Sequence, residues 1–255
     1  MTLPNGQFVW YEHLTHDAEA ASAFYQHVVG WSAAAADIPD APPYTILSAG
    51  ERPVAGLMTF PEGCGTGSDP GWVGYVSVDD VDAFVAKVEA LGGTLHVGPM
   101  EIAEVGRFAV VADPQGAVFA LYTSACEGPP PPAMGTPGLA GWHELWAKDG
   151  AAAFAFYAEL FGWTKTEAFD MGPSGVYQLF ATATEAVGGM MTAEAGVSTG
   201  WLFYFNVPEL DAAMARVLDK GGKVAFGPQE VPGGMWIIQC HDPQGGEFAL
   251  VAPVR

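Results

Sequence analysis

The chain has 255 residues, of which 50% are hydrophobic, so it is long enough for packed cores and for two domains. Its 29 acidic and 9 basic residues give a net charge of −20, which disfavours nucleic-acid and anionic-membrane partners. No apolar run reaches the roughly 18 residues of a spanning helix, and the N-terminus shows no export signal. The widely spaced Cys64, Cys126 and Cys240 fit reduced thiols. We therefore expect a soluble, cytoplasmic protein.

Residues 7–60 predict one module in which a strand and a helix are followed by further strands. Asp17 is the residue type that caps a helix N-terminus, and Gly30 is the type that ends one. Aromatic and aliphatic side chains on either side of this helix favour strands. The predicted elements are a strand at 8–15, a helix at 18–29, and strands at 44–47 and 54–58.

Residues 70–123 repeat this order, with Asp79 as the expected helix N-cap. The turn Asp113-Pro114-Gln115-Gly116 lies between the last two strands, since proline pre-sets one turn position and glycine takes the last one freely. The predicted elements are a strand at 72–78, a helix at 81–91, and strands at 94–97, 108–112 and 118–122. Each half of the chain is thus expected to hold two β-α-β-β-β modules.

The second half of the chain duplicates the first. Trp10-Tyr11-Glu12-His13-Leu14 returns as Trp142-His143-Glu144-Leu145-Trp146, 132 positions later, and the turn at 113–116 returns at 242–245. Four consecutive prolines in the intervening segment favour an extended, semi-rigid linker. The predicted division is a first domain at 1–125, a linker at 126–138 and a second domain at 139–255.

This ordered, duplicated set of motifs resembles the vicinal oxygen chelate superfamily, which includes glyoxalases, bleomycin-resistance proteins and extradiol dioxygenases. The motifs are the strand with its capping Asp, the helix with Phe-Tyr, the Gly-Trp that follows, and the strand–Asp-Pro-x-Gly–strand close. The resemblance implies an α+β fold of four β-α-β-β-β modules forming two tandem domains. In each domain a mixed sheet is expected to curl around a cup that binds a small molecule, usually over a divalent metal.

The metal-ligand positions implied by the resemblance carry no ligand side chains here. The first-strand position is Trp10 or Trp142, and the other two positions hold valine, leucine or alanine: Val73 and Ala120 in the first half, Leu202 and Ala249 in the second. None of these offers an imidazole or a carboxylate. A register shifted by one would instead aim His143 inward, beside Glu144. We expect neither a metal nor another cofactor.

Alternation along a strand would place Glu12 beside Trp10, and Glu144 beside Trp142, on the cup face. Burial of a glutamate raises its pKa and suits it to acid–base work or to a cationic ligand. Bonds to the backbone or to a nearby tyrosine, in a purely structural role, remain an equal alternative.

The further ligand-wall candidates are Trp72 and Trp201, for which core packing is the alternative, and Met58 and Met191. The residues favour a metal-independent protein that binds a small organic molecule, as a monomer or homodimer. The alternative is a lyase-, isomerase- or hydroxylase-like enzyme with Glu12 or Glu144 as general acid or base. A scaffold whose cups are filled by side chains is a third interpretation.

Overall fold

The structure, a computed structural model, describes residues 4–36, 42–61, 69–126, 133–197 and 199–255. Cys64 and the four consecutive prolines of the predicted linker lie outside the described residues. None of the described helices is both long and apolar enough to cross a membrane.

Four modules of one strand, one helix and three strands follow one another along the chain. The first contains β1 (Phe8–Thr15), α1 (Ala18–Val29), β2 (Ser32–Ala36), β3 (Tyr44–Ala49) and β4 (Arg52–Thr59). The second contains β5 (Gly71–Ser77), α2 (Val81–Ala90), β6 (Thr94–Ile102), β7 (Gly106–Ala112) and β8 (Val118–Ser124). The third contains β9 (Ala140–Ala147), α3 (Gly150–Phe161), β10 (Thr164–Asp170), β11 (Val176–Ala181) and β12 (Ala186–Thr192), with a 3-10 turn at Gly172–Ser174. The fourth contains β13 (Gly200–Asn206), α4 (Leu210–Asp219), β14 (Lys223–Val231), β15 (Met235–His241) and β16 (Glu247–Ala252).

The strands form two eight-stranded mixed sheets, which confirms the predicted α+β class and the four modules. The orders are β2-β3-β4-β1-β5-β8-β7-β6 and β10-β11-β12-β9-β13-β16-β15-β14. The first and last strands of each module pair in parallel, β1 with β4, β5 with β8, β9 with β12 and β13 with β16, and the other neighbours inside each module pair antiparallel. This parallel register places Glu12 opposite Gly56 and Glu144 opposite Gly189.

The described chain divides into two compact units that do not coincide with the two sequence halves. Unit 1 takes its residues from 1–9, 74–131 and 143–201, and unit 2 from 10–73, 132–142 and 202–255. Each unit thus draws on one module from each half of the duplication. The predicted domain boundaries follow the sequence repeat and stay a prediction.

Each unit contains a helix pair that is held at its end by a cation. In unit 1, the Lys87 ammonium on α2 donates to the carbonyl of Leu160 at the end of α3, at 3.0 Å. In unit 2, two guanidinium nitrogens of Arg216 on α4 donate to the carbonyl of Val28 near the end of α1, at 3.0 and 2.9 Å. Because the last carbonyls of a helix lack intrahelical partners and carry partial negative charge, these contacts stabilise both helix ends.

The two Asp-Pro-Gln-Gly turns join the modules within each unit. In unit 1, the side-chain amide of Gln115 accepts from the backbone N–H of Asp149 at 2.7 Å and donates to the carbonyl of Asp149 at 2.9 Å. In unit 2, Gln244 makes the same two bonds with Asp17, at 2.8 and 2.9 Å. The turn motif seen in the sequence therefore pairs with the N-cap residue of a helix from the other half.

Several predicted element bounds need correction. β2, an alanine run, was not predicted, because alanine favours helices and the strand forms by pairing with β3. The N-cap of α2 is Asp80 and not Asp79, since the Asp80 carboxylate accepts from the N–H of Ala83. Asp17 and Gly30 cap α1 as predicted, the glycine with a left-handed φ of 90°.

Candidate functional site

The side chains of β1 alternate between a buried face and a half-buried face. Tyr11 and His13 are buried within unit 2, whereas Trp10, Glu12 and Leu14 are half-buried on the opposite face. The predicted register of the Trp-x-Glu motif is therefore confirmed for this strand. The half-buried face carries the first candidate site.

The first site pairs Glu12 with Tyr44 and Trp10. Tyr44 lies on β3 and is hydrogen-bonded to Glu12, and its O–H is the donor because a carboxylate can only accept. The indole N–H of Trp10 donates to the same phenol oxygen at 3.0 Å. The tyrosine ring lies directly over Gly56, where a β-carbon would overlap it. Glycine opposite Glu12 thus makes room for the aromatic partner.

The Tyr44 phenol stays protonated at any physiological pH. Burial, and then the negative charge of Glu12, raise the pKa of this phenol well above its ordinary value. Tyr44 therefore acts as a permanent hydrogen-bond donor to the carboxylate. The Trp10–Tyr44–Glu12 chain holds the carboxylate of Glu12 in place on the half-buried face.

The second site, in unit 1, contains the equivalent glutamate and tyrosine but a different tryptophan. The phenol O–H of Tyr177 on β11 donates to Oε2 of Glu144 at 3.1 Å. The indole N–H of Trp146 donates to Oε1 of the same carboxylate at 2.7 Å. The Tyr177 ring lies over Gly189, which repeats the arrangement over Gly56. Duplication has preserved the glutamate–tyrosine–glycine set in both units.

The sequence left a bond from each glutamate to a nearby tyrosine open as a structural alternative but did not identify the tyrosines, which are Tyr44 and Tyr177. Both were placed in predicted strands, but neither was assigned to the site. The sequence signal that could have identified them is their spacing in the repeat. The two tyrosines are 133 positions apart, and Gly56 and Gly189 are separated by the same distance. Because each tyrosine reaches its glutamate across an intervening strand, their contact depends on strand order as well as on sequence spacing.

The two methionines proposed as ligand walls lie on strands next to the glutamates. Met58 is half-buried on β4 and opposite Leu14, on the face of Glu12. Met191 is opposite Trp146, on the face of Glu144, and is 5% exposed. Both methionines therefore lie on the face of a glutamate, and their contact with a ligand stays a prediction.

Trp72 and Trp201 lie in aromatic clusters away from the half-buried face. Trp72 is 7% exposed, packs against Tyr25 and Phe205, and donates its N–H to the Tyr25 oxygen at 3.0 Å. Trp201 donates to the Tyr157 oxygen at 3.1 Å within unit 1. These positions correspond to core packing, the alternative that the sequence left open.

The family's metal-ligand positions in the second half form an apolar cluster in unit 2. Leu202 and Ala249 belong to this cluster together with Tyr204 and Val251, and Trp142 packs against it. In the first half, Trp10 donates to Tyr44 as described above, Val73 is half-buried and Ala120 is fully buried. Within the described parts of the chain, no three His, Cys, Asp or Glu side chains converge. The side chains at these positions do not fit a divalent ion.

His143 does not take the inward orientation that a shifted register would give it. It is buried in unit 1, where its ring stacks on Phe8 at 4.1 Å between centroids. Its Nδ1 donates to the carbonyl of Val187 at 2.7 Å. Burial lowers the pKa of His143 to about 4, and the bond to Val187 opposes this only in part. Near neutral pH the histidine is therefore uncharged, and its side chain packs in the core of unit 1.

One open hollow of unit 2 lies elsewhere on the surface. It has a volume of about 440 Å³, and its walls include Trp31, Arg52 and Gly138. None of its lining residues comes from β1, so it is separate from the Glu12 site.

Comparison with known proteins identifies the family of this chain. Residues 140–250 match the Glyoxalase/Bleomycin resistance protein/Dioxygenase superfamily, and residues 10–122 match the Glyoxalase-like domain. The chain is 30% identical over 246 residues to "Putative glyoxylase CFP32" of Mycobacterium bovis, covering 96% of this chain and 94% of that protein. It is 32% identical over 263 residues to "Anthracycline biosynthesis protein DnrV" of Streptomyces peucetius, with 96% and 93% covered.

Solved structures show the same fold at low identity. The Mn(II)-bound glyoxalase from Novosphingobium aromaticivorans aligns with a TM-score of 0.68 at 15% identity, over 100% of this chain and 84% of that one. The 2,2',3-trihydroxybiphenyl 1,2-dioxygenase from Sphingomonas wittichii aligns with a TM-score of 0.69 at 15% identity, over 97% and 90%. With two family domains in tandem and full-length relatives, the chain belongs to the glyoxalase/bleomycin resistance protein/dioxygenase superfamily.

Proposed function

We propose that this protein binds a small organic molecule at its aromatic–carboxylate sites and that it does so without the divalent metal usual in its family. The observation that carries the proposal is the matched pair of glutamate–tyrosine contacts, Glu12 with Tyr44 and Glu144 with Tyr177. Each contact is preserved across the duplication together with the glycine beneath the ring. Aromatic walls around a few oriented polar groups are typical of sites for flat organic ligands.

The apolar character of the metal positions supports the metal-free part of the proposal. Trp142 packs against the cluster that contains Leu202 and Ala249, so these side chains contribute to an apolar wall. A ligand would gain binding energy from that apolar surface and orientation from a carboxylate. The relatives named for a glyoxylase and for anthracycline biosynthesis point to small organic molecules as the class of ligand.

A binding titration with N-phenyl-1-naphthylamine tests this function. The probe is flat, carries one N–H donor and fluoresces strongly in apolar surroundings. We expect a saturable rise in fluorescence that weakens about tenfold in Tyr44→Phe, because this change removes the O–H that orients Glu12. Glu19→Gln, an exposed change on α1, is the matched control. Absence of saturable binding, or equal loss in the control, would contradict the proposal.

The second candidate function is an enzyme that uses Glu12 or Glu144 as a general acid or base. The bond from Tyr44 favours it, since an oriented carboxylate can take a proton from a carbon next to a carbonyl and return it. The test is deuterium uptake from D2O into 2-hydroxyacetophenone, followed by mass spectrometry. Enzyme action predicts uptake that Glu12→Gln or Glu144→Gln abolishes while probe binding persists. Uptake equal to that of buffer alone rules out this chemistry for the probe used.

A further inference from the structure

We propose that a flat, electron-poor ring stacks on the indole of Trp10 at the first site and on the indole of Trp146 at the second. This inference rests on the proposed function and assigns the chemical class of the ligand and the side chains that it contacts. It is carried by the surroundings of the tryptophans, by the hydrogen bonds of these two indoles and by their exposure.

Most of the eight tryptophans already pack against other side chains of the protein. Those that contact several aromatic rings within their own unit are Trp31, Trp72, Trp163 and Trp201. Trp236 lies under the guanidinium of Arg255 at 5.4 Å, and Trp142 packs against the apolar cluster of unit 2. Trp10 and Trp146 differ, because within the described residues no aromatic ring or cation packs on either indole.

Hydrogen bonds fix the orientation of both indoles. The N–H of Trp146 donates to Oε1 of Glu144 at 2.7 Å. The N–H of Trp10 donates to the phenol oxygen of Tyr44 at 3.0 Å, and this phenol is in turn bonded to Glu12. Since each ring is held at its N–H edge, a ligand that stacks on it loses little free energy to ordering the side chain.

The same bonds make both indoles better partners for an electron-poor ring. A carboxylate that accepts from Trp146 polarises the N–H bond and increases the electron density of the ring. At Trp10 the carboxylate acts through the phenol, along a chain of two hydrogen bonds. The face of an indole is already negative, so a ring with a positive face complements it and an electron-rich ring stacked on it does not.

Both indoles are accessible in part. Trp10 and Trp146 are half-buried, so a solute can reach each ring and bury apolar surface there. Glu144 is only 8% exposed, so its carboxylate acts on the ligand through Trp146 as a positioning residue. The chain's net charge of −20 disfavours an anion. The ligand class is thus a neutral, flat conjugated ring with electron-withdrawing groups.

NMR of the full chain carrying ¹⁵N-labelled tryptophan tests the inference. The Trp→Phe variants at positions 10 and 146 assign the two indole N–H signals of interest. Pentafluorobenzyl alcohol is the electron-poor probe, and benzyl alcohol is its electron-rich counterpart of similar shape. We expect the fluorinated probe to shift both signals saturably and to bind about 3- to 10-fold more tightly than benzyl alcohol. The signals of Trp72 and Trp163, which are 7% and 4% exposed, should stay in place as internal controls.

Trp146→Leu removes one of the two stacking surfaces. The variant copies Leu14, the residue at the matching position of the first half. We expect the number of bound fluorinated probes to fall from two to one, with the affinity at Trp10 unchanged within about twofold. Two bound probes in this variant would remove Trp146 from the inference.

Glu144→Gln separates the electronic role of the carboxylate from a merely structural one. Glutamine keeps an acceptor oxygen for the indole N–H but removes the charge. The preference for the fluorinated probe at Trp146 should therefore fall below about twofold, whereas the preference at Trp10 persists. Glu159→Gln, an exposed change on α3, is the matched control. An equal loss of affinity for both probes would show that Glu144 has a structural role only.

The outcomes separate the inference from the proposed function. Equal affinity for the two probes overturns the electron-poor class, and a shift confined to other indole signals overturns the assignment of Trp10 and Trp146. N-phenyl-1-naphthylamine reports binding of a small molecule of either class. If neither probe shifts the two signals while this dye still binds, only the inference falls. If the dye also fails to bind, the proposed function falls with it.

Discussion

The two units hold the same buried aspartate network with one difference at its centre. In unit 1 the Asp113 carboxylate accepts from the N–H groups of Gln115 and Ala117 and from the phenol of Tyr157. In unit 2 Asp242 accepts from the N–H groups of Gln244 and Gly246, and from Tyr25. A tryptophan N–H donates to each of these tyrosines. The duplicated turn motif therefore organises both units in the same way.

The difference is a histidine. His13 in unit 2 is fully buried with its Nε2 3.1 Å from Asp242 Oδ2, and unit 1 has Leu145 at the matching position of the repeat. Gly246 takes the place of Ala117, and a β-carbon there would lie 2.7 Å from Asp242 Oδ2 and 2.8 Å from the His13 ring. Glycine thus makes room for both the carboxylate and the histidine. In unit 1 the equivalent network forms with the apolar Leu145 at this position. The histidine is therefore not required for the turn itself.

His13 also changes the charge balance of the turn. Burial would raise the pKa of Asp242, but the bond to His13 and its charge, with the N–H groups of Gly246 and Gln244, outweigh it. The pKa of Asp242 therefore lies below its ordinary value. The carboxylate stays ionised in the core because its interactions compensate for lost hydration.

The largest predicted effect comes from removing the carboxylate of unit 2. Asp242→Ala leaves His13, the Tyr25 hydroxyl and two backbone N–H groups without their acceptor. We expect the free energy of unfolding to fall by about 3–5 kcal/mol, measured by urea denaturation. Asp113→Ala is the matched variant and should cost less, since Leu145 stands in unit 1 at the position that matches His13. An equal loss in both variants would remove His13 from the explanation.

The next effect is a pH dependence that arises in unit 1. Burial lowers the pKa of His143 from 6.5 to about 4. Between these two pH values the imidazole is protonated in the unfolded chain but neutral in the folded chain. Stability should therefore fall by about 3 kcal/mol as the pH drops through this window. His143→Tyr, which copies Tyr11 at the matching position, should reduce that slope. Unchanged pH dependence in this variant would contradict the assignment.

The smallest predicted change in stability is the conversion of unit 2 to the unit 1 pattern. His13→Leu combined with Gly246→Ala should lower the free energy of unfolding by less than about 2 kcal/mol, because the equivalent network of unit 1 forms with Leu145 and Ala117 at these positions. An apolar side chain then replaces the histidine beside Asp242, while Asp242 keeps Tyr25 and two N–H donors. Chemical denaturation of the double variant and of both single variants measures it. A loss above about 3 kcal/mol would show that unit 2 depends on the histidine.

Most of the fold could be predicted from the repeat, because the same strings in the same order specify the same modules. The face of Glu12 could be predicted as well, since alternation along β1 fixes it. Hydrophobicity could not tell which face Trp72 takes, because tryptophan suits both a core and a ligand wall. The contacts of Tyr44 and Tyr177 depend on strand order, which local sequence does not determine. Each unit combines one module from each half of the chain. This combination depends on contacts between the two halves, which the repeat alone does not predict.

We propose that the aromatic–carboxylate sites take the place of the family's metal site. The most direct measurement is elemental analysis of the purified full chain after incubation with Zn²⁺, Mn²⁺ and Ni²⁺ and removal of unbound ions. We expect far less than one retained ion per chain, because Trp142, Leu202 and Ala249 supply no ligands. One tightly held ion per half, lost when Glu12 or Glu144 becomes glutamine, would contradict it.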